Sequence, residues 1–397
     1  MPPEFHTARD RFIYIAGPCT PRGGGMFKVA DYLIQSQAPV QDSQHAQLRP
    51  LETRGAGPAA WSLVVLAGAL LRLLSGRLSG RLAGVHVNMA ERLSLVRKSV
   101  LILACRALGL PVVLHLHAAQ LPPFYRALPR PLQAITRRVF GLADCCVVLG
   151  EVSRRFVTEE LGVAPGRVRV LINGVPEPRA PRRRPGPVQR VLFVGNLSER
   201  KGVPELLAAL ARPGFDARHT QVCLAGGGPV EVYHRQAAAL GLSAWVHFEG
   251  WADQARVDEL MAQADVLVLP SHDEGLPLVI LEALSHGVAV LCTPVGEIPW
   301  ALRDGEEALF VAPGDVPALA AQLQRLLADA PLRARLERQG RALYEAQFSI
   351  RRFFEGVGHL HQEVFGVCAA PMVLSPVAVR PAALPTALAR PCQGQRL

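Results

Sequence analysis

The stretch EGLPLVILEALSHG, residues 274–287, contains the pattern that decides the fold. It follows DVLVLP (265–270), a short apolar run whose composition predicts a buried strand. A polar loop then leads to Pro277, which suits the first turn of a helix because no backbone N–H donor is needed there. Strand, loop and helix in this order are typical of a parallel α/β sheet, in which ligands bind beyond the carboxyl ends of the strands.

Two carboxylates flank the start of this predicted helix. Glu274 lies in the loop, and Glu282 lies in the second turn of the helix. The backbone amides of Gly275 and Leu276 lie between them at the positive end of the helix, which favours phosphate. The pattern therefore suits a ligand that carries both hydroxyl and phosphate groups. An acidic loop followed by an ordinary glutamate near a helix N-terminus would give the same spacing.

A second strand-to-helix turn carries two cations. The apolar run 191–195 predicts a strand, and Arg200 and Lys201 lie at the tip of the loop that leads to a helix from about Val203. Two cations at a helix N-terminus would suit a diphosphate and would stabilise negative charge on a leaving group. Solvent-exposed charges on a loop are the alternative interpretation.

The length and the charge distribution limit the kinds of protein this can be. At 397 residues, 50% of them hydrophobic, the chain is long enough for two or three domains with their own cores. Residues 1–184 contain 25 Lys and Arg against 11 Asp and Glu, whereas residues 185–397 contain 18 against 22. The basic first half favours an anionic partner, such as a phosphorylated substrate or an acidic membrane surface. No nucleic-acid-binding signature accompanies this charge, so nucleic acid is disfavoured; arginine from a GC-rich coding bias would need no partner at all.

Cysteine usage and the apolar stretches bear on the compartment. The eight cysteines form no C-x-x-C pair and no metal-ligand spacing, which favours free thiols in a reducing cytoplasm. The polar start MPPEFHTARDR does not resemble a signal peptide. The longest apolar stretch, residues 59–74, contains Arg72 and is shorter than the roughly 20 residues that a membrane span needs. We therefore expect a cytoplasmic protein that does not span a membrane but can contact its inner face.

Short apolar runs alternate with helical patterns in both halves of the chain, as in doubly wound parallel sheets. The Pro- and Arg-rich segment 179–189 predicts a linker between a domain over 1–178 and a domain over 190–346. A helix is predicted within 347–366, and the Ala- and Pro-rich residues 367–397 predict a mostly disordered tail. The predicted strands are 12–16, 85–89, 112–116, 145–149 and 168–172 in the first domain, and 190–195, 221–225, 245–248, 265–269 and 288–292 in the second.

Further motifs occur in a fixed order between residues 12 and 366. They are GPCTPRGGG (17–25), VLHLHA (113–118), INGV (172–175), FVGNLSERKG (193–202), CLAGGGP (223–229), VHFEGW (246–251), the segment 265–300 around the opening stretch, and YEAQFSIRRF (344–353). In this order the motifs resemble those of the retaining glycosyltransferases of the GT-B fold, family 4, the "glycosyl transferases group 1" domain.

The resemblance implies two Rossmann-like domains that face each other across a cleft, with the last helix crossing back to the first domain. It implies transfer of a sugar from a UDP- or GDP-linked donor to a saccharide acceptor, with retention of configuration at the anomeric carbon. The nucleotide sugar is then a co-substrate and no cofactor is expected. Since no D-x-D motif is present, a metal-dependent route is disfavoured.

The resemblance also assigns roles to residues. Glu274 would orient the transferred sugar and stabilise an oxocarbenium-like state, Lys201 would bind the diphosphate, and His117 would contact the sugar from the acceptor side; these three form the predicted catalytic set. Glu282 would bind the ribose hydroxyls. The predicted donor-binding set is Gly24, Gly25, Asn196, Arg200, Lys201, Gly227, Gly228, Gly250, Gly275, Leu276 and Glu282.

Alternatives exist for several of these positions. The glycine loops predicted at 23–25, before a helix from about Met26, and at 226–228 could serve only as tight turns. His117 and its neighbour His115 could be core histidines, and Trp251 could either stack on a nucleobase or belong to the core.

Two departures from the family pattern bear on function. Asn196 stands where the family often has Arg, and Glu297 and Trp300 replace a small residue and an acid in GEIPW (296–300). They could tune the choice of donor or signal reduced activity, and a non-catalytic GT-B protein that binds a nucleotide sugar or glycan is the alternative function. A nucleotide-sugar epimerase or a glycosyl phosphorylase on the same fold is disfavoured by the Glu274–Glu282 spacing. The basic first domain, with Arg97 on a predicted helix, favours a polyprenyl-diphosphate-linked acceptor at an anionic membrane, in surface polysaccharide synthesis.

Overall fold

Two parallel β-sheets, each flanked by helices, form the framework of the protein. The computed structural model describes residues 11–19, 24–35, 37, 45–55, 57, 60–180, 182, 186 and 188–369. The first sheet has seven strands and the second has six. All described strand pairs within both sheets are parallel, which confirms the predicted α/β class.

The first sheet organises the N-terminal domain, and its strand order is β13-β2-β1-β3-β4-β5-β6. Its elements, in chain order, are β1 Phe12–Gly17, α1 Gly24–Gln35, β2 His45–Glu52, α2 Trp61–Leu78, β3 Leu82–Met89, α3 Leu93–Ala107, β4 Val112–Leu116, α4 Leu121–Arg126, α5 Arg130–Leu142, β5 Cys145–Val148, α6 Glu151–Arg155 and β6 Val168–Val170, with β13 Cys368–Ala369 added from the end of the described chain.

The second sheet organises the C-terminal domain, and its strand order is β12-β11-β10-β7-β8-β9. Its elements are β7 Gln189–Val194, α7 Val203–Leu210, β8 Thr220–Ala225, α8 Val230–Ala239, β9 Val246–Gly250, α9 Gln254–Gln263, β10 Val266–Leu269, α10 Leu278–Ser285, β11 Ala289–Cys292, α11 Ile298–Ala301, β12 Leu309–Phe310, α12 Val316–Ala328, α13 Ala330–Leu343 and α14 Ile350–Phe365.

The central strands are buried along their whole length. Every residue of β3, β4, β10 and β11 is buried, because helices cover both faces of each sheet. This explains why β10 and β11 read in the sequence as continuous apolar runs, whereas β3 and β4 also bury the polar residues His86, Asn88 and His115.

Helix α14 crosses back to the N-terminal domain, as the resemblance implied. The ring of Phe365 lies against Gly84 of β3, where an added Cβ would be 2.3 Å from the ring. Nearby, Nε2 of His361 lies 2.9 Å from Nδ1 of His86, also on β3. The first domain is therefore completed by residues from the end of the described chain.

Three predicted boundaries are corrected by the structure. The tail predicted from 367 starts too early, since Val367 is buried and Cys368–Ala369 pairs with β2; residues 370–397 lie outside the described residues. Gly24 and Gly25 are the first residues of α1 rather than part of a loop. Pro277 precedes α10 in an extended conformation instead of lying in its first turn. The predicted linker 179–189 is described only in part, at 179–180, 182, 186 and 188–189.

Helix α2 was not predicted as a helix, and it has two apolar faces. One face, which includes Leu66, Ala69 and Leu73, is buried in the N-terminal domain. The other face exposes large side chains, among them Leu71 and Leu78. With 18 residues, α2 is long and apolar enough to cross a membrane, as core helices of soluble proteins can also be.

Candidate functional site

The carboxyl ends of β7 and β10 bring the predicted residues Lys201 and Glu274 together. Lys201 ends a short helical turn before α7, and Glu274 lies in the loop between β10 and α10. Nζ of Lys201 donates to Oε1 of Glu274, and Oγ of Ser271 donates to the same oxygen at 2.8 Å. The two side chains of the ion pair are only 13% and 8% exposed. Because water competes only weakly for these groups, the ion pair holds both side chains in a fixed orientation at the edge of the sheet.

Gly202 allows the turn that carries Lys201 to come close to the loop that carries Glu274. Its φ is +71°, and a Cβ at this position would lie 2.0 Å from the carbonyl oxygen of Pro270. Only glycine allows the turn before α7 to pack directly on the loop that follows β10. The "KG" of the sequence is therefore one structural unit, in which the glycine places the lysine.

Arg200 is held by the same loop. Its Nη1 donates to the backbone oxygen of Asp273 at 2.9 Å and lies 3.7 Å from the Asp273 carboxylate. The side chain remains 45% exposed, so its charge is accessible to a ligand. A contact between Arg200 and a diphosphate stays a prediction.

The second glycine loop, residues 226–228, packs on the loop that follows β7. An added Cβ at Gly226 would lie 1.7 Å from the oxygen of Gly195, so close packing explains this glycine. The Cβ position of Gly227 is open, with its nearest neighbours, Asn196 Oδ1 and Trp251 Cδ1, at 3.9 Å. Trp251 is 62% exposed, which excludes the core interpretation for this residue. The other predicted position in this region, Gly250, has a φ of +75° and open space around it.

Glu282 connects the two domains. It lies in the second turn of α10, as predicted, and is 5% exposed. Its Oε1 accepts hydrogen bonds from Nζ of Lys28 on α1 at 2.9 Å and from Nε2 of Gln254 on α9 at 3.3 Å. Lys28 belongs to the N-terminal domain, so the carboxylate predicted to bind ribose is covered from across the cleft.

Apolar contacts between the two domains lie near the Lys28–Glu282 ion pair. An added Cβ on Gly25, at the start of α1, would lie 3.6 Å from Leu278 of α10. An added Cβ on Gly275 would lie 3.8 Å from Leu149, which follows β5. Leu276 is buried beside it. Gly24 opens the same helix as Gly25, and the predicted glycines of α1 therefore adjoin the donor side of the cleft.

His117 lies on the N-terminal side. It follows β4, and its Nε2 lies 2.9 Å from Oδ1 of Asn88 on β3. Its ring centroid is 4.0 Å from that of His115, which in turn lies 3.2 Å from His86. Burial lowers the pKa of His117 to about 3, so the imidazole is neutral at physiological pH. Within the described residues, no hydrogen bond or ion pair connects His117 to Glu274 or Lys201.

The departure at Glu297 has a structural role. The carboxylate is 2% exposed and accepts the backbone N–H groups of Val152 at 3.1 Å and Ser153 at 2.7 Å. Both amides lie at the start of α6 in the N-terminal domain, where the helix dipole favours a negative charge. The backbone N–H of Glu297 also donates to the oxygen of Gly275 at 2.9 Å. Glu297 therefore ties the loop after Glu274 to the opposite domain.

Sequence reasoning missed several residues of this region. Ser271, Lys28 and Gln254 were not singled out, although all three contact the predicted carboxylates. Ser271 could have been found, because it lies three residues before Glu274 in the same loop. Lys28 and Gln254 gave no local signal, since their partner is distant in the sequence. Across the described ranges, no group of three or more His, Cys, Asp or Glu side chains is arranged to hold a metal ion.

The two halves of the chain match two family models. The model described as "Glycosyl transferases group 1" matches residues 176–343, and the one described as "Glycosyl transferase 4-like domain" matches residues 20–174. Together they cover most of the chain. The chain therefore belongs to the group 1 glycosyltransferases, as its motifs predicted.

Individual relatives agree with this family. The lipopolysaccharide core biosynthesis glycosyltransferase LpsE of Rhizobium meliloti is 37% identical over 161 residues, which is 40% of this chain and 45% of that protein. The chain spans about half the length of the curated relatives it matches.

Solved structures share the fold. Sucrose-phosphate synthase from Thermosynechococcus elongatus has a TM-score of 0.71 at 20% identity, covering 90% of this chain and 99% of that one. Anabaena HepE, solved in complex with UDP, has a TM-score of 0.70 at 17% identity, covering 89% and 100%. These similarities confirm the GT-B fold.

Proposed function

We propose that this glycosyltransferase moves a sugar from a UDP- or GDP-linked donor to a saccharide acceptor, with retention of configuration. The observation that carries the proposal is the buried contact between Lys201 and Glu274, in the loop that leads into α10, where a second buried carboxylate, Glu282, lies eight residues further along the chain. A cation for phosphate and two carboxylates for hydroxyl groups match the chemistry of a nucleotide sugar.

The proposed roles follow from the positions of these groups. The ribose binds at Glu282, the diphosphate binds at Lys201 and the amides before α10, and the transferred sugar lies beside Glu274. The acceptor attacks the anomeric carbon from the face that the diphosphate leaves, and the leaving phosphate takes the acceptor proton. Glu274 then stabilises the oxocarbenium-like state by its charge and orientation. His117, neutral at pH 7, contacts the transferred sugar by hydrogen bonding.

The donor proposal is supported by the structural relatives. HepE has been solved with UDP and with UDP-glucose, so UDP-sugars are the first donors to test. We propose that no metal ion is needed, because Lys201 and Arg200 can neutralise the charge that develops on the leaving diphosphate.

We further propose that the acceptor is lipid-linked and serves surface polysaccharide synthesis at the inner face of the cytoplasmic membrane. The exposed apolar face of α2, with Leu71 and Leu78, supports this location, as does the lipopolysaccharide core biosynthesis role of the relative LpsE from Rhizobium meliloti. Helix α3, which packs beside α2, adds the exposed Leu93 and Val96. The basic charge of the same domain would favour anionic lipids.

The transferase proposal is tested by incubating the protein with UDP- and GDP-sugars and short saccharide or polyprenyl-diphosphate acceptors, with and without EDTA. We expect release of the nucleoside diphosphate, an acceptor product with the donor's anomeric configuration by NMR, and rates unchanged by EDTA. Lys201→Met should lower the rate by at least about a hundredfold. Tight donor binding without release of nucleotide or formation of product would favour the non-catalytic binding protein.

The membrane proposal is tested by flotation with vesicles. Wild type should float with phosphatidylglycerol vesicles and much less with phosphatidylcholine vesicles. Leu71→Asn combined with Leu78→Asn should abolish flotation without changing donor binding. Equal flotation of wild type and this double variant would contradict a docking role for α2.

A further inference from the structure

The junction of α1, α9 and α10 contains unpaired polar atoms. Oη of Tyr32, Oε1 of Gln254 and Oε2 of Glu282 are buried and have no hydrogen-bond partner. Tyr32 lies one helix turn after Lys28 on α1, and Lys28 donates to Glu282 at 2.9 Å, so the tyrosine lies on the face of α1 that meets this carboxylate. Burial raises the pKa of Tyr32 well above its usual value, and the charge of Glu282 raises it further. A buried polar atom without a partner is unfavourable, so three such atoms at one junction indicate a site adapted to a polar ligand.

The orientation of the side-chain amide of Gln254 follows from its hydrogen bond to Glu282. Its Nε2 donates to Oε1 of Glu282 at 3.3 Å. The opposite orientation of the amide would place two oxygens against each other, so the assignment is fixed by chemistry. Oε1 of Gln254 and Oε2 of Glu282 are therefore two acceptors on side chains that touch. A vicinal diol offers two O–H donors, whereas the ionised diphosphate of a nucleotide sugar offers none and would be repelled by Glu282.

We infer that Gln254 is a second specificity residue for the nucleoside: one ribose hydroxyl donates to Glu282 and the other to Gln254. This inference rests on the proposed function, since it presupposes a nucleotide donor. It adds a residue from α9 that the family motifs do not mark. It also predicts that the site distinguishes ribose from 2′-deoxyribose.

Lys28 controls access to these acceptors. It lies on α1 of the N-terminal domain and holds Oε1 of Glu282, and the acceptor atoms beside it are buried in this arrangement. In this proposal a ribose reaches these buried atoms when α1 moves away from α10 and the Lys28–Glu282 bond breaks. Lys28 therefore competes with the nucleoside for Glu282, and its removal should favour binding.

The test compares UDP with its 2′-deoxy and its 3′-deoxy analogue, and GDP with the same two analogues, by isothermal titration calorimetry. Wild type should bind the ribonucleotide at least about tenfold more tightly than either deoxy analogue, because each analogue leaves a buried acceptor unpaired. Gln254→Met keeps the side-chain length but removes the acceptor, and it should reduce the ratio for one of the two deoxy analogues to about threefold or less, because only one hydroxyl donates to Gln254. The matched control Gln236→Met on α8, outside the junction, should leave both ratios unchanged. If Gln254→Met does not fold, Gln254→Asn withdraws the amide by one methylene and should have the same effect.

Lys28→Met provides an independent measurement. It should tighten UDP or GDP binding about three- to tenfold, because the nucleoside no longer displaces an ion pair. Weaker binding would show that Lys28 contacts the ligand rather than competing with it, and would overturn its role here. Unchanged ratios for both the 2′-deoxy and the 3′-deoxy analogue in a folded Gln254 variant would overturn the role of Gln254. Failure of wild type to bind any nucleotide would instead reject the proposed function itself.

Discussion

Replacing Glu297 by Gln should weaken the contact between the two domains. The carboxylate accepts two backbone N–H groups at the start of α6, at 2.7 and 3.1 Å, and is almost fully buried. A glutamine retains one acceptor oxygen but turns an NH₂ group toward the other N–H donor. One hydrogen bond to a charged group is lost and a buried donor is left unpaired, so the free energy of unfolding should fall by about 2–4 kcal/mol.

Urea unfolding followed by circular dichroism measures this change. The matched control is Glu345→Gln, since Glu345 pairs with Arg341 on the surface with its side chain 57% exposed. An exposed pair of this kind contributes less than about 1 kcal/mol. Glu297→Gly, which introduces the small residue common in the family, should destabilise at least as much as the glutamine. If Glu297→Gln lowers the free energy of unfolding no more than Glu345→Gln does, Glu297 does not connect the domains.

Three further predictions concern catalysis, packing and pH. Glu274→Gln should reduce the rate constant of transfer by about a hundredfold or more while changing nucleotide affinity less than threefold, as steady-state kinetics and calorimetry would show. Gly84→Ala should destabilise by about 1–3 kcal/mol in urea unfolding, because the new methyl group would clash with Phe365; Gly358→Ala, with open space around it, is its control. Burial lowers the pKa of His86 from 6.5 to about 4, so acidification between these values protonates the unfolded chain first and reduces stability. In urea unfolding at several pH values, His86→Leu should reduce the pH dependence of the free energy of unfolding by up to about 1.4 kcal/mol per pH unit. An unchanged pH dependence would contradict the lowered pKa of His86.

Much of the fold could be predicted because the strands of a doubly wound sheet are buried on both faces. Strand β10 and the helix after it lie in one continuous stretch, so their order and the place of Glu274 could be read locally. Strand β2 was missed because HAQLRPLE contains polar residues and a proline and has no apolar run. Strand β13 was missed because two residues carry no pattern of their own and pair only through the finished sheet.

In the candidate site, too, some residues could be predicted from local sequence and others could not. Lys201, Glu274 and Glu282 lie in motifs whose local chemistry suggests phosphate and hydroxyl groups. Contacts between distant segments could not be predicted, and Lys28 meets Glu282 only because α1 packs across the cleft. Glu297 was noticed as a departure from the family pattern, but its partners at the start of α6 depend on the arrangement of the two domains.

The proposed function depends above all on binding of a nucleoside-diphosphate sugar in the cleft through Glu282. The most direct measurement is calorimetric titration of UDP- and GDP-sugars into wild type and Glu282→Ala. We expect one nucleotide to bind tightly and the variant to lose about 1.5–3 kcal/mol, at least about tenfold in affinity. If the folded wild-type protein binds no nucleotide sugar, the proposed function is contradicted. If Glu282→Ala binds with the affinity of wild type, the proposed role of Glu282 is contradicted.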